Sequence, residues 1–291
     1  MNKTYIFGSS GFIGSEIANY FIYKNQKSKN DIILVNKNDC DLLSKNFQKK
    51  IDKLIKNNSL IIFCSAIKKQ LGDNIENYSK NTHMFTNLLM AIKNKKNLKI
   101  IFISSTAVYG EDVAQKKITE NSKINIRTFY GCSKYSNEKI LENFSMQYSF
   151  KYMILRLPLV FGHGDNSLGY GPSLFYNSSI NKKDIFIWGD GSEKREFIYL
   201  KDIGKIVYKL RNFKENIILN IVSGKSYSYM NIIKILKKIL KTEIKLINKK
   251  RSKLKVNHFF NNFNIQKYHF NFTSLEKALK DMFLENSNEK K

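Results

Sequence analysis

Thr4-Tyr5-Ile6-Phe7-Gly8-Ser9-Ser10-Gly11-Phe12-Ile13-Gly14 is the stretch whose reading decides the fold. The apolar run from Thr4 to Phe7 predicts a buried strand, and the amphipathic segment from Ser15 to Tyr23 predicts a helix. Between them, three glycines permit a tight turn, close approach of the backbone to a pyrophosphate and close packing of helix on strand. A phosphate would then lie on the helix amino terminus. Gly8, Gly11, Phe12, Ile13 and Gly14 are therefore candidate dinucleotide-binding residues.

Working outward, Asp31 to Asn36 predicts a second strand whose end stands 22 positions after Gly14. An acidic residue that reads the ribose diol is expected there. Asn36 and Lys37 occupy the place instead. An asparagine does not repel a 2′-phosphate and a lysine pairs with one, so NADP is the expected cofactor; with NAD as the alternative, Asp39 or Asp41 would read the ribose. Asp41 and Leu42 stand where an adenine contact is expected, against the competing reading of Asp41 as the cap of a helix from Leu42 to Ile55. Leu60 to Ala66 predicts the next buried strand, with Ser65 and Ala66 on the cofactor side, and Asn81 to Lys93 the helix after it.

Lys99 to Ile103 is apolar without alternation, as in a parallel strand buried on both faces, and it delivers Ser104, Ser105 and Thr106 at its carboxyl end. Ligands in open α/β sheets bind at such ends. Tyr130 and Lys134 are four apart at the start of a helical segment, Ser133 to Gln147, so phenol and ammonium share a face. A cation at ~4 Å with an effective dielectric of 20 is worth about 4 kcal/mol to a phenolate, enough to bring Tyr130 into use near pH 7. Ser105 would hydrogen-bond the same substrate oxygen. Ser105, Tyr130 and Lys134 are the candidate catalytic residues, with Thr106 and Ala107 beside the substrate.

A polar loop, Glu111 to Arg127, is suited to covering this pocket. Tyr152 to Phe161 predicts a strand with Pro158 marking an edge or a break. Beyond the loop from Gly162 to Pro172 the elements shorten, which predicts a smaller second domain: residues 1–162 bind the cofactor, 163–285 mainly the substrate with some segments returning, and 286–291 form a polar tail. Asn216 to Val222, Ser228 to Leu240 and Glu243 to Ile247 give strand, helix, strand. Lys249 to Lys253 is a basic run for phosphates or for solvent. Thr273 and Glu276 form a capping box for a helix from Thr273 to Phe283.

Composition bounds the functional classes. The formal charge is +26, yet the lysines are scattered along all 291 residues and the arginines are few. A nucleic-acid binder concentrates its cations, so no nucleic acid is expected, while attraction for polyanionic small molecules survives. No apolar stretch reaches 18 residues, and no leader pattern is seen, so no membrane partner and a cytoplasmic location are expected. Three cysteines without Cys-x-x-Cys fit free thiols, and four histidines form no zinc pattern, so no metal is expected.

With these residues in hand, the chain resembles the extended short-chain dehydrogenase/reductase family of nucleotide-sugar epimerases, dehydratases and 4-keto reductases. Gly8-x-x-Gly11-x-x-Gly14 matches its cofactor loop, Ser105 with Tyr130-x-x-x-Lys134 its catalytic triad, and Val108-Tyr109-Gly110 its following turn. Gly189 to Asp202 is similar to its substrate-side signature, in which Arg195 would contact a nucleotide diphosphate; Arg251 also has a counterpart. The resemblance implies an α/β fold, a Rossmann-type doubly wound parallel sheet with a smaller C-terminal α/β substrate domain. It also implies a nucleotide-diphosphate sugar as substrate, a homodimer, and cofactor contacts from Asn81 and from Leu157, which follows the arginine of the strand from Tyr152. Two departures bear on the reaction. Ala107 replaces the acidic residue of dehydratases and the cysteine of reductases that also epimerise C3 and C5, and Leu157-Pro158-Leu159 replaces the usual asparagine. The expected activity is reduction of a 4-keto nucleotide sugar, with C4 epimerisation on bound NAD as the alternative. A cofactor-sensing or RNA-binding protein is the alternative from another class.

Overall fold

The structure, a computed structural model, describes residues 3–111, 115–165, 169–251 and 254–289. Parts of the expected cover loop (112–114), of the glycine-rich loop (166–168), of the basic run (252–253) and of the tail (290–291) lie outside the described residues. The strands are β1 (Lys3–Phe7), β2 (Ile32–Val35), β3 (Ser59–Phe63), β4 (Lys99–Ser105), β5 (Gln115–Ile118), β6 (Lys151–Leu157), β7 (Leu159–Phe161), β8 (Ile185–Trp188), β9 (Lys194–Tyr199), β10 (Ile217–Asn220), β11 (Ser226–Ser228), β12 (Leu246–Lys249) and β13 (His258–Phe260). The helices are α1 (Phe12–Lys24), α2 (Phe47–Leu54), α3 (Ile75–Ile92), α4 (Phe129–Tyr148), α5 (Pro172–Ile180), α6 (Leu200–Leu210), α7 (Tyr229–Leu240), α8 (Phe263–Gln266) and α9 (Leu275–Glu289).

Two compact units divide the chain. The first comprises residues 1–111, 124–156 and 203–219, and the second residues 112–123, 157–202 and 220–291. The first unit carries a six-stranded sheet in the order β10-β6-β4-β3-β1-β2, with β1 parallel to β2 and β3, and β3 parallel to β4. From β1 the chain builds β2 on one side and then crosses to β3 on the other. That reversal is the point at which open α/β sheets bind ligands. β3 is buried along its whole length because helices cover both faces of such a sheet. Phe63, Phe85 and Phe102 pack with centroids 4.7 to 6.1 Å apart at the centre of the core.

In the second unit, β9 pairs with β7 in parallel and β11 in antiparallel, β8 with β12, and β5 with β13. Its core is aromatic, with Phe175, Tyr176, Phe197 and Tyr229 buried against apolar residues of α7 and α9.

Several expected boundaries move. The strand from Tyr152 breaks at Pro158 into β6 and β7, since proline has no N–H for a ladder. The first unit leaves out residues 112–123 and 157–162 of the expected 1–162 and takes in 203–219 as a returning segment. α3 starts at Ile75, six residues before Asn81, because the Asn74 side chain accepts a bond from Asn77 N at 2.9 Å. Residues 42–46 form turns and α2 begins at Phe47, so Asp41 does not cap a helix that starts at Leu42. Thr273 does not cap α9: its hydroxyl donates to Asp202 at 2.8 Å, and Ser274 accepts from Lys277 N at 3.3 Å instead. α9 runs on through residues 286–289, which were expected as tail.

Candidate active site

The glycine loop joins β1 to α1 as expected, and its crowding shows why glycine stands there. A Cβ on Gly14 would lie 2.1 Å from the Gly8 carbonyl oxygen, and one on Gly8, whose φ is +77°, would meet Ser65 N at 2.8 Å. The loop thus packs backbone to backbone, and it also abuts Ser65 at the end of β3. Gly11 is the N-cap of α1; no side chain caps the helix and its first turn holds no acid, so the N–H groups of Phe12, Ile13 and Gly14 suit an anion. These residues fit a dinucleotide pyrophosphate.

Other expected cofactor residues are placed less directly. The Asn36 side-chain oxygen accepts from Asn38 N at 2.8 Å and from Asp39 N at 3.3 Å, closing the turn after β2. Lys37 is an exposed cation with its Nζ 3.9 Å from an Asp41 carboxylate oxygen. Leu42 is 4% exposed and belongs to the apolar core cluster of the first unit. Asn81 is also buried: its amide accepts from Ile67 N at 2.7 Å and donates to Ile67 O at 3.0 Å, which fixes the loop bearing Ser65 and Ala66. Leu157 is the buried last residue of β6 and the first of the second unit.

Ser105 ends β4 and caps the 3-10 turn from Thr106 to Tyr109, accepting from Ala107 N at 3.1 Å. α4 is capped by Thr128, whose hydroxyl accepts from Gly131 N at 3.0 Å. Gly131 lets this helix close on the 3-10 turn, since a Cβ there would lie 3.0 Å from Ala107 O. Ser105 lies close enough to the Tyr130 phenol to lower its pKa, and the Lys134 ammonium lies over the Tyr130 ring, so the expected trio does meet. Its protonation differs from expectation. The Lys134 ammonium donates to Ile103 O at 2.7 Å and lies 5.7 Å from the Tyr130 ring centroid, over the ring rather than on the phenol oxygen. Burial, with the nearby Glu111 carboxylate, pushes the Tyr130 phenol up to about 12, against the lowering by Ser105. The direction is opposite to the lowering expected from Lys134. Burial also brings Lys134 down to about 8, opposed by Cys64 and Glu138.

Behind the trio lies a buried network that sequence reasoning missed. Arg156 donates to both Glu138 oxygens, at 2.6 Å from its terminal nitrogen, and to the Tyr109 hydroxyl at 2.7 Å, while Ser104 also donates to Glu138. The available signal was Glu138 four residues after Lys134, a carboxylate on the inward face of α4.

In the second unit, Arg195 and Arg251 both pair with the Glu193 carboxylate, and Arg195 also donates to Val256 O. One terminal nitrogen of Arg251 is buried without a hydrogen-bond partner. Two guanidiniums on a single carboxylate leave one positive charge in excess, which suits an anionic group.

The chain matches the model of the NAD dependent epimerase/dehydratase family over residues 4–221, and it belongs to that family. Among its relatives is a Methanocaldococcus jannaschii protein named "Putative UDP-glucose 4-epimerase", 30% identical over 79% of this chain and 80% of that protein. GDP-L-colitose synthase of Yersinia pseudotuberculosis is 26% identical over 82% of each. The fold is shared with UDP-N-acetylglucosamine 4-epimerase from Methanobrevibacter ruminantium M1, solved with UDP-N-acetylmuramic acid, at a TM-score of 0.83, 22% identity and 99% coverage of both chains. No helix among the described residues is long and apolar enough to cross a membrane.

Proposed function

We propose that this protein epimerises C4 of a nucleoside-diphosphate hexose by transient oxidation, with NAD as its resident cofactor. The observation that carries this reading is the trio Ser105, Tyr130 and Lys134 with Ala107 beside it: a phenol that can move a proton at an oxygen, and no base in the turn that can take one from carbon. Chemistry is thereby confined to one carbon. Bound NAD supplies a reversible hydride acceptor. Tyr130 moves the proton of the C4 hydroxyl, Ser105 fixes that oxygen, and Lys134 lends positive charge and a donor close to Tyr130. Arg195 and Arg251 take the diphosphate. The Methanocaldococcus jannaschii relative, named as a putative 4-epimerase, favours epimerisation over the reduction expected from sequence. NAD in place of the expected NADP is supported by the carboxylates at the end of β2, where Lys37 stands near Asp41 and Asp39 bonds Asn36 N at 2.9 Å.

Reduction of a 4-keto sugar remains the second reading, favoured by one observation: Lys37 after β2 is an exposed cation able to pair with the 2′-phosphate of NADP, the cofactor that suits net reduction. Incubation with UDP-glucose or UDP-galactose and NAD in deuterated water separates the two. Interconversion of the pair with no deuterium at C3 or C5 and no net NADH is expected. Failure to interconvert any nucleoside-diphosphate hexose, with stoichiometric consumption of reduced cofactor by a 4-keto sugar, would establish the reductase instead.

A further inference from the structure

The two arginines read above as diphosphate ligands already hold an anion of the chain's own. Glu193 lies in the turn between β8 and β9, and its carboxylate bridges them: one oxygen meets a terminal nitrogen of Arg195, the other a terminal nitrogen of Arg251. The Glu193 side chain is 12% exposed, that of Arg195 13% and that of Arg251 21%. Water and salt screen such shielded pairs much less than pairs at an open surface.

The surrounding backbone fixes both arginines against this bridge. Gly189 opens the turn at a φ of +62°, and it lies so close beneath Arg251 that a Cβ there would stand 2.9 Å from the Arg251 Nε. Arg195 is tied from another side, since its second terminal nitrogen donates to Lys194 O at 3.1 Å and to Val256 O. The second terminal nitrogen of Arg251 is buried with no hydrogen-bond partner.

A guanidinium takes a phosphate most strongly as a fork, two N–H groups on two oxygens. Neither arginine presents both terminal nitrogens to an incoming anion: Glu193 holds one on each, and carbonyls hold the other on Arg195. A diphosphate laid beside the intact bridge would also set its charge against the Glu193 carboxylate, and like charges brought together at a shielded site oppose binding.

We propose that Glu193 is the specificity-determining residue of this subsite, an internal anion that a diphosphate has to replace. In the free protein it keeps two mutually repelling guanidiniums together; on binding, the diphosphate takes over their terminal nitrogens and the carboxylate withdraws. Affinity for the diphosphate is then the difference between two anions competing for the same pair. The proposal rests on the reading above that Arg195 and Arg251 take the diphosphate, and the test separates the two.

That test is calorimetric titration with UDP, GDP and dTDP at fixed ionic strength, with NAD present at saturation so that the glycine loop is filled. Glu193→Gln keeps the size of the side chain and can still accept from one guanidinium, but it has no charge to be displaced. It should bind the best of the three nucleotides about tenfold more tightly or better than wild type, the scale of one charge-assisted hydrogen bond that no longer has to be broken. Damage to the fold lowers affinity, so a gain is not what a merely structural role would give. Should Glu193→Gln not fold, Glu193→Ser takes its place with the same gain expected. Asp190→Asn removes a carboxylate three positions earlier whose oxygens accept from Ser192, and it should change affinity by less than about twofold. An equal gain in Asp190→Asn would mark a general effect of charge and overturn the proposal, as would unchanged or weaker binding by a folded Glu193 variant. Arg251→Gln reads the layer beneath: weaker nucleotide binding there with no gain in Glu193→Gln leaves the arginines as diphosphate ligands and overturns the role of Glu193 alone. Unchanged binding by Arg251→Gln removes the arginine reading, and the proposal with it.

Discussion

Replacing Gly14 by alanine tests the cradle most directly. The added Cβ would sit 2.1 Å from the Gly8 carbonyl oxygen and 2.8 Å from its carbon, where ordinary contact begins at 3.4 Å. The start of α1 and the Gly8 turn would have to part by about 1.3 Å, and both partners are backbone, so no side chain can swing away. Overpacking of this kind costs about 1–3 kcal/mol, and it displaces the N–H groups of residues 12–14 from a bound pyrophosphate. Gly11→Ala is the internal control: its φ of −79° is open to any residue, and its Cβ would stand 3.3 Å from the same oxygen, which calls for only a slight give. The assay is thermal unfolding of each variant without cofactor, followed by NAD titration. Gly14→Ala should unfold several degrees lower and bind NAD weakly, whereas Gly11→Ala should unfold near wild type and lose affinity alone. Equal unfolding temperatures for wild type and Gly14→Ala would refute the close approach of Gly14 to Gly8.

Tyr130→Phe should lower turnover by about 10²–10⁴ while NAD binds as in wild type, because it removes the transferred proton and little else; near-normal turnover would remove Tyr130 from the mechanism. Asn36→Asp keeps an acceptor for Asn38 N and Asp39 N, so the turn should survive, and the added charge should weaken NADP more than NAD in a binding titration; equal losses would show that the ribose is read elsewhere. Glu196 is a third case, pushed up to about 7 by burial against the lowering by bonds from Ser223 and Gly224. Its folded value lies above the ordinary 4.5, so the folded chain holds a proton the unfolded chain gives up, and this group's stability is lost as pH rises from about 4.5 to 7. Glu196→Gln should flatten that window in urea unfolding and gain most above pH 7; an unchanged pH profile would show the carboxyl does not titrate there.

The strands of the first unit were legible because a strand buried on both faces is apolar along its buried stretch, as Tyr5 to Phe7, Leu60 to Phe63 and Ile100 to Ile103 are. The glycine loop was legible because φ and close approach leave no other residue at Gly8 and Gly14. Where reading stopped short, the missing information lay far along the chain. β5 sits inside what reads as a polar loop, because its ladder is made with β13, some 140 residues later, and a short strand at a sheet edge needs no apolar pattern. Thr273 and Ser274 are equally good caps in sequence; Asp202, 71 positions away, takes Thr273 and leaves the helix to Ser274. Leu42 is read by its distance from the glycines, and only the tertiary fold shows that it is buried in one apolar cluster with Val35 and Ile51.

The Tyr130 phenol departs from the expected lowering for a related reason, and the difference bears on mechanism. Spacing of four on a helix establishes that Lys134 and Tyr130 share a face, and nothing about which atom the ammonium meets. The ammonium meets Ile103 O, an acceptor supplied by β4, and so spends its short-range attraction on a carbonyl dipole. The about 4 kcal/mol expected for a cation at the phenolate oxygen is then not available to Tyr130, while burial and Glu111 act against ionisation. The same burial weakens the hold of Lys134 on its own proton. Phenol and amine are thus both drawn towards neutrality by one cause, desolvation, which Cys64 and Glu138 oppose at Lys134. The proton inventory of the trio is therefore set less by the spacing of Tyr130 and Lys134 than by the burial both groups share.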